Sequence, residues 1–304
     1  MFKLKPINGA IRVVKAILTN QVARFAPDLY IRLTGQTGRG SEPETAKEVA
    51  VYFRQCFDDY FQRIGVEKEH ISAWLAGKRL LEYGPGDVPG VGLLMLAHGA
   101  DKVICVDRFR LSQPNQKQVA ILQALLEELD DDARRRAAGC FEKENEPQSG
   151  LRRDRLDYLV TANGLSGLEN EIDLIYSRAV LEHVNDLDAT FADMARALRP
   201  GAIAIHEVDL KSHGLHRDNP LDFLTWPVWL WDLMYSEKGV PNRWRIDRYR
   251  QAIDQVGLKA KLLEPTMLAN TGDIKEVRPH LATPFRHLED DALAWLSFWL
   301  VAQK

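Results

Sequence analysis

The chain has 304 residues, with 40 Lys plus Arg against 43 Asp plus Glu, a formal net charge of −3 and 45% hydrophobic residues. That apolar content supports a large core, and the balanced charge excludes a surface built mainly to neutralise nucleic-acid phosphates. Cys56, Cys105 and Cys140 are too few and too widely spaced for a disulfide framework, no apolar run reaches the ~18 residues of a membrane span, and no secretory leader is evident, so a cytoplasmic protein is expected.

Residues 1–27 carry Lys3, Lys5, Arg12, Lys15 and Arg24 with no acid before Asp28, while Ile11, Val14, Ile17, Leu18, Val22 and Phe25 recur at helical spacing. Such a basic amphipathic helix either lies on a membrane surface or packs its apolar side on the protein's own body, and the second is expected because ordinary surface helices share the pattern. Gly35, Gly38 and Gly40 then mark a loop that closes on an anion or simply connects. Residues 43–64 read as a helix with a broad apolar face, and residues 1–77 together as a helical cap.

The centre alternates short apolar strands with helical patterns, which predicts an α/β fold, a Rossmann-like doubly wound, mostly parallel sheet. Strands are expected at 79–83, 102–107, 156–161, 172–177, 202–208 and 259–265. Helices are expected at 88–98, 116–138, 186–199 and 246–256. An insertion at 209–245, after the fifth strand, holds Trp226, Trp229, Trp231 and Trp244. It exceeds an ordinary connection and reads as a lid over an acceptor, or as the core of a small helical cap. Residues 276–304 are expected to form a helical tail, with the apolar run 292–301 as a terminal helix.

The most informative stretch is Glu82-Tyr83-Gly84-Pro85-Gly86-Asp87. A strand ends in an acid, and two glycines then let the backbone turn against a ligand. Asp107 closes the next strand, where a carboxylate accepts both hydroxyl hydrogens of a ribose. The pair implies a nucleoside-containing ligand. A dinucleotide would need a third glycine, and Asp87 stands where its diphosphate would sit, which disfavours a nicotinamide-dependent oxidoreductase.

Together with Asp173-Leu-Ile-Tyr-Ser177, Ala179-Val-Leu-Glu-His-Val184 and Leu198-Arg-Pro-Gly201, this series resembles the motifs of class I S-adenosylmethionine-dependent methyltransferases over residues 78–265. The resemblance implies S-adenosylmethionine as cofactor. It places the methionine part at Glu82, Tyr83, Gly84 and Gly86, the ribose at Asp107, and Ser177 in the cofactor wall at the end of the fourth strand. The family's usual acid after strand three is absent; Asn163 is the residue there able to accept the adenine amino hydrogen bond.

Candidate catalytic residues are His183, His206, Asp209 and His213. The last three lie in the run His206-Glu-Val-Asp209-Leu-Lys-Ser-His213-Gly-Leu-His216, at strand ends where open α/β sheets bind ligands. A His/Asp pair there takes a proton from a hydroxyl acceptor, with the carboxylate fixing the tautomer. The run has no established metal signature, so no metal is expected. Arg243, Arg245 and Arg248 either meet an anionic acceptor or are solvated. The expected function is methylation, O-directed, of a small-molecule or saccharide acceptor, without nucleic acid and with peripheral membrane contact through residues 1–27 as a further reading. The rival from another class is a noncatalytic membrane-surface or scaffold protein.

Overall fold

A computed structural model describes residues 6–34, 44–109, 111, 115–215 and 218–304. Helices α1 (Pro6–Phe25), α2 (Pro27–Thr34), α3 (Ala46–Arg63) and α4 (Ile71–Leu75) precede the first strand. There follow β1 (Arg79–Tyr83), α5 (Gly90–Ala97), β2 (Lys102–Asp107), α6 (Gln116–Glu127), α7 (Asp131–Ala138), β3 (Leu156–Val160) and β4 (Ile172–Arg178). Then come α8 (Leu187–Ala197), β5 (Leu198–Asp209), α9 (Val228–Tyr235), α10 (Ile246–Gln255) and β6 (Lys259–Leu268). The chain closes with α11 (Thr271–Val277), α12 (Asp290–Ala294) and β7 (Trp295–Gln303). Residues 35–40, with the three loop glycines, and His216 lie outside the described residues.

The seven strands form one sheet in the order β3-β2-β1-β4-β5-β7-β6. Strands β1 to β5 pair in parallel, and β7 runs antiparallel between β5 and β6. The Rossmann-like α/β expectation holds. Strand order reverses between β1 and β4, the crevice where such sheets bind ligands.

The terminal helix expected at 292–301 is instead mostly strand. All residues from Trp295 to Ala302 are buried, because alternate side chains meet cover on opposite faces: Trp299 packs edge-on against Tyr60 of α3, and Phe298 against Tyr249 of α10. A run apolar on both faces carries no period that separates strand from helix. The single helix expected at 116–138 is two. Asp130 caps α7, its side chain accepting from the Ala133 amide at 2.8 Å, while the Arg134 guanidinium donates to the carbonyls of Leu126 and Leu129 at the end of α6. An N-cap of this kind contributes about 1 kcal/mol, enough to start a new helix.

Helix α3 begins with a capping box between Thr45 and Glu48. Its apolar face, with Val49, Phe53, Phe57, Tyr60 and Phe61, joins α5, α6 and one face of the sheet in a common core. Residues 46–75 therefore share a core with this face of the sheet. The other face packs on α8 and α10. A third cluster unites Phe223, Leu224 and Trp231 of the insertion with Ile274, Val277, Phe285 and Leu293. Trp231 thus serves as cap core, and Trp229 is exposed.

Helix α1 lies on α9 of this cap. Asn20 donates to the carbonyls of Asp232 and Leu233 and accepts from the Glu237 amide at 3.0 Å, and the Lys238 ammonium donates to the Ala16 carbonyl at 2.9 Å. The helix packs on the body, but through Ala16, Asn20 and Ala23 rather than the apolar side that was expected to pack: Ile11, Val14, Leu18 and Phe25 stay exposed. No helix among the described residues is long and apolar enough to cross a membrane.

Candidate functional site at the strand ends

The carboxyl ends of the five parallel strands bring the glycine turn, Asp107, Asn163, the 179–184 segment and Asp209 to one edge. Gly84 and Gly86 adopt φ of +62° and +70°, a region where a side chain is strained. At Gly84 a Cβ would stand 2.5 Å from Val180 Cγ2, so the turn is pressed against the loop after β4. The Tyr158 hydroxyl donates to the Gly86 carbonyl at 3.0 Å and fixes the far side.

Asp107 accepts from the Phe109 amide at 3.2 Å. Burial pushes its carboxyl up, and the Phe109 and Arg108 amides oppose that shift. Beyond β3, the Thr161 amide donates to the Asp107 carbonyl, and exposed Asn163 sits in the turn closed by the Gly164 amide on the Thr161 carbonyl. Asp107 and Asn163 are thereby held on the same rim.

Glu82 and Tyr83 point to opposite faces of β1. Glu82 is buried, accepting from the Tyr176 hydroxyl at 3.1 Å and the Cys105 thiol at 3.6 Å. Burial pushes its carboxyl up to about 7, against the pull of those two hydrogen bonds. The Tyr83 hydroxyl bonds Asp193 of α8, whose carboxylate also accepts from the Ser166 and Gly167 amides. These side chains hold the base of the turn from beneath; on Tyr83 only the backbone is left toward a ligand.

Ser177 and His206, expected in the cofactor wall and in catalysis, meet each other instead. They are cross-strand partners in β4 and β5, with the Ser177 hydroxyl 2.7 Å from His206 Nδ1. His206 is fully buried, and burial drives its imidazole down to about 3. A neutral ring inside the sheet has no path to an acceptor.

The other catalytic candidates do converge. His183 follows β4, and His213 sits in the loop after β5 with φ of +50°. Their rings stack edge-on with centroids 4.9 Å apart. His213 Nε2 is 3.5 Å from Asp209 Oδ2. Between them lies Glu182, a residue that sequence reasoning did not single out: its Oε1 is 3.8 Å from His183 Nε2 and 4.0 Å from His213 Nε2. Burial lowers the His183 imidazole to about 4, helped by His213, and raises the Glu182 carboxyl. The Glu-His dipeptide within Leu181-Glu-His-Val184 carried the signal, because a 3-10 turn places both side chains at the edge.

The insertion clamps this segment. Asn242 donates through its backbone to the Glu182 carbonyl at 2.7 Å and through its side chain to the carbonyls of Leu181 and Val184. Arg108, also missed by sequence reasoning, reaches from the end of β2 to the His183 carbonyl at 3.3 Å and lies close to Gly239. It spans the reversal point of the sheet. The three arginines of the insertion's end are committed elsewhere. Arg243 donates to the carbonyls of Phe223 and Trp226, Arg245 to those of Leu210 and Leu293, and Arg248 pairs with Asp188. Arg243 braces the cap internally, Arg245 ties its ends to the segment before β7, and Arg248 joins α10 to α8, which decides against either sequence expectation for Arg243 and Arg245.

A family model described as a methyltransferase domain matches residues 53–262. No curated protein matches the chain. Among solved structures, the chain is similar to an S-adenosylmethionine-dependent methyltransferase from Mesorhizobium loti, with 17% identity and a TM-score of 0.42 over 78% of this chain and 96% of that one. It is also similar to phosphoethanolamine N-methyltransferase 2 of Haemonchus contortus, with 15% identity and a TM-score of 0.42 over 75% of this chain and 49% of that one. A third is a SAM-dependent methyltransferase from Methanosarcina mazei, with 13% identity and a TM-score of 0.43 over 75% of this chain and 92% of that one. With its family match spanning well over half of the sequence, the chain belongs to the class I S-adenosylmethionine-dependent methyltransferases, and S-adenosylmethionine is its cofactor.

Proposed function

We propose that this methyltransferase acts on a hydroxyl oxygen of a small-molecule or saccharide acceptor, held under the cap formed by residues 209–245. The observation that carries the reading is the Asp209–His213 pair, 3.5 Å apart at the end of β5, with Asp209 half-buried and His213 exposed. A hydroxyl must lose its proton as the new bond forms, and a carboxylate-held imidazole is suited to take it. The bound cofactor supplies an electrophilic methyl group on a sulfonium. The chain's own task is then to orient the acceptor, exclude water and receive that proton.

The residues at the edge suit the cofactor. The glycine turn leaves backbone open to the methionine part, Asp107 offers a carboxylate preset for a ribose, and exposed Asn163 stands on the same rim for adenine. Glu82, the Tyr83 ring and Ser177 support this wall from within. Calorimetry with S-adenosylhomocysteine tests the arrangement: Asp107→Ala weakens binding at least tenfold, and NADH gives no heat. Unaltered affinity would remove Asp107 from the site. A screen of hydroxyl acceptors against amine acceptors, read as S-adenosylhomocysteine release, tests the O-directed reading.

A second reading concerns α1. Ile11, Val14, Leu18 and Phe25 are 56–77% exposed, share one helix face and are flanked by Arg12, Lys15 and Arg24. This stripe supports peripheral contact with an anionic membrane. Flotation with anionic vesicles tests it: Ile11→Asp/Leu18→Asp abolishes co-flotation, and no flotation of the unaltered protein overturns it.

A further inference from the structure

The geometry points to a divalent-cation site formed by Glu182, His183 and His213, beside the acceptor position and open on one side. It reverses the expectation, drawn from the lack of a sequence signature, that no metal is bound.

One oxygen of Glu182 and one nitrogen of each imidazole lie within 4.8 Å of one another. Bonds of about 2.0 Å to a tetrahedral centre would put such donors about 3.3 Å apart. The Glu182–His separations of 3.8 and 4.0 Å therefore close on a cation with small side-chain rotations. Glu182 itself argues for an occupant. It is 1% exposed, and no side chain among the described residues hydrogen-bonds either carboxylate oxygen; only the backbone amides of Glu182 itself and Asp209 approach it. An unpartnered carboxylate is expensive to bury. The nearby fixed cations are engaged with other acids: Arg178 bridges Asp59 and Glu207 at 2.7 and 2.8 Å, and Lys211 pairs with Asp209 at 3.2 Å. A cation between the two imidazoles supplies what Glu182 lacks.

Two imidazole nitrogens and one carboxylate suit zinc or a neighbouring first-row ion better than magnesium. The three donors come from a 3-10 turn clamped by Asn242 and from a loop residue, which leaves a further coordination position toward the partly exposed side of His213. Resting on the O-methylation reading, an acceptor hydroxyl would take that position.

Cobalt(II) added to chelator-treated protein provides the test, and it requires neither cofactor nor acceptor. The unaltered protein takes up one equivalent and develops a visible ligand-field band. Glu182→Gln, which keeps the side-chain shape, and His213→Ala, which changes a surface loop, each weaken uptake at least tenfold while far-UV circular dichroism and melting temperature show a folded chain. His70→Ala, in the exposed Glu67-Glu69-His70 group on the surface, leaves uptake unchanged. Absence of the band, or uptake indifferent to Glu182→Gln and His213→Ala, overturns the site. Either failure would leave the methyl-transfer reading standing, since that is measured separately by hydroxyl-acceptor turnover.

Discussion

The Ser177 hydroxyl and His206 Nδ1 lie 2.7 Å apart inside the sheet, joining β4 to β5 through two side chains that are almost wholly inaccessible. Both carry polar atoms of the kind that marks an active site, and both are consumed by each other. His206 Nε2 already lacks a partner, so Ser177→Ala would leave both nitrogens of a buried imidazole unpaired, at a cost of about 1–3 kcal/mol. Urea denaturation should show that loss with little change in S-adenosylmethionine affinity. A large loss of affinity without destabilisation would return Ser177 to the cofactor wall.

Gly84 meets two constraints at once, a φ of +62° and a Cβ position 2.5 Å from Val180. Gly84→Ala should therefore weaken S-adenosylhomocysteine binding at least tenfold by displacing the turn. Gly84→Ala/Val180→Ala relieves the clash but not the backbone strain, and should recover part of the affinity. Calorimetry on both variants separates the two causes, and equal losses in both would assign the effect to strain alone.

Burial raises the Glu82 carboxyl from 4.5 to about 7 in the folded chain. The folded state keeps a proton that the unfolded state releases, so this group's contribution to stability is fully present below about pH 4.5 and is lost as pH rises through 7. Glu82→Gln keeps the hydrogen-bonding shape and removes the titration. The stability difference between variant and unaltered protein should thus move in the variant's favour by about 3 kcal/mol between pH 4.5 and pH 8. Denaturation across that range reads it, and a pH-independent difference would mean that Glu82 stays ionised.

Asn20 is the polar anchor of α1 on the cap, with its amide and carbonyl both bonded to residues 232–237. Asn20→Leu should cost about 1–3 kcal/mol locally by leaving those backbone groups unpaired. Amide exchange should speed up across residues 11–25 and 228–238 while the sheet keeps its protection. Unchanged exchange would show that apolar contact alone holds the helix.

What was readable in the chain followed local chemistry. The limits of β1 and β2, the glycine turn and the strand-end acid at Asp107 are set by a few adjacent residues, and they appear where the pattern put them. Asp209 and His213 were readable for the same reason, four residues apart at the end of one strand. Glu182 and Arg108 were not, because their roles depend on neighbours distant in sequence: His213 for the first, the His183 carbonyl for the second.

The sequence by itself determined the family, the glycine turn and where along the chain the parallel strands fall, since periodicity and glycine placement act over a few residues. Tertiary structure alone decided that the last apolar run enters the sheet as β7, that His206 is buried against Ser177, and that Glu182 faces two imidazoles. Each of those outcomes depends on which surfaces meet after the chain folds. A continuous apolar segment, a histidine or a carboxylate has the same local pattern whether it ends in a core, at an edge or beside a cation.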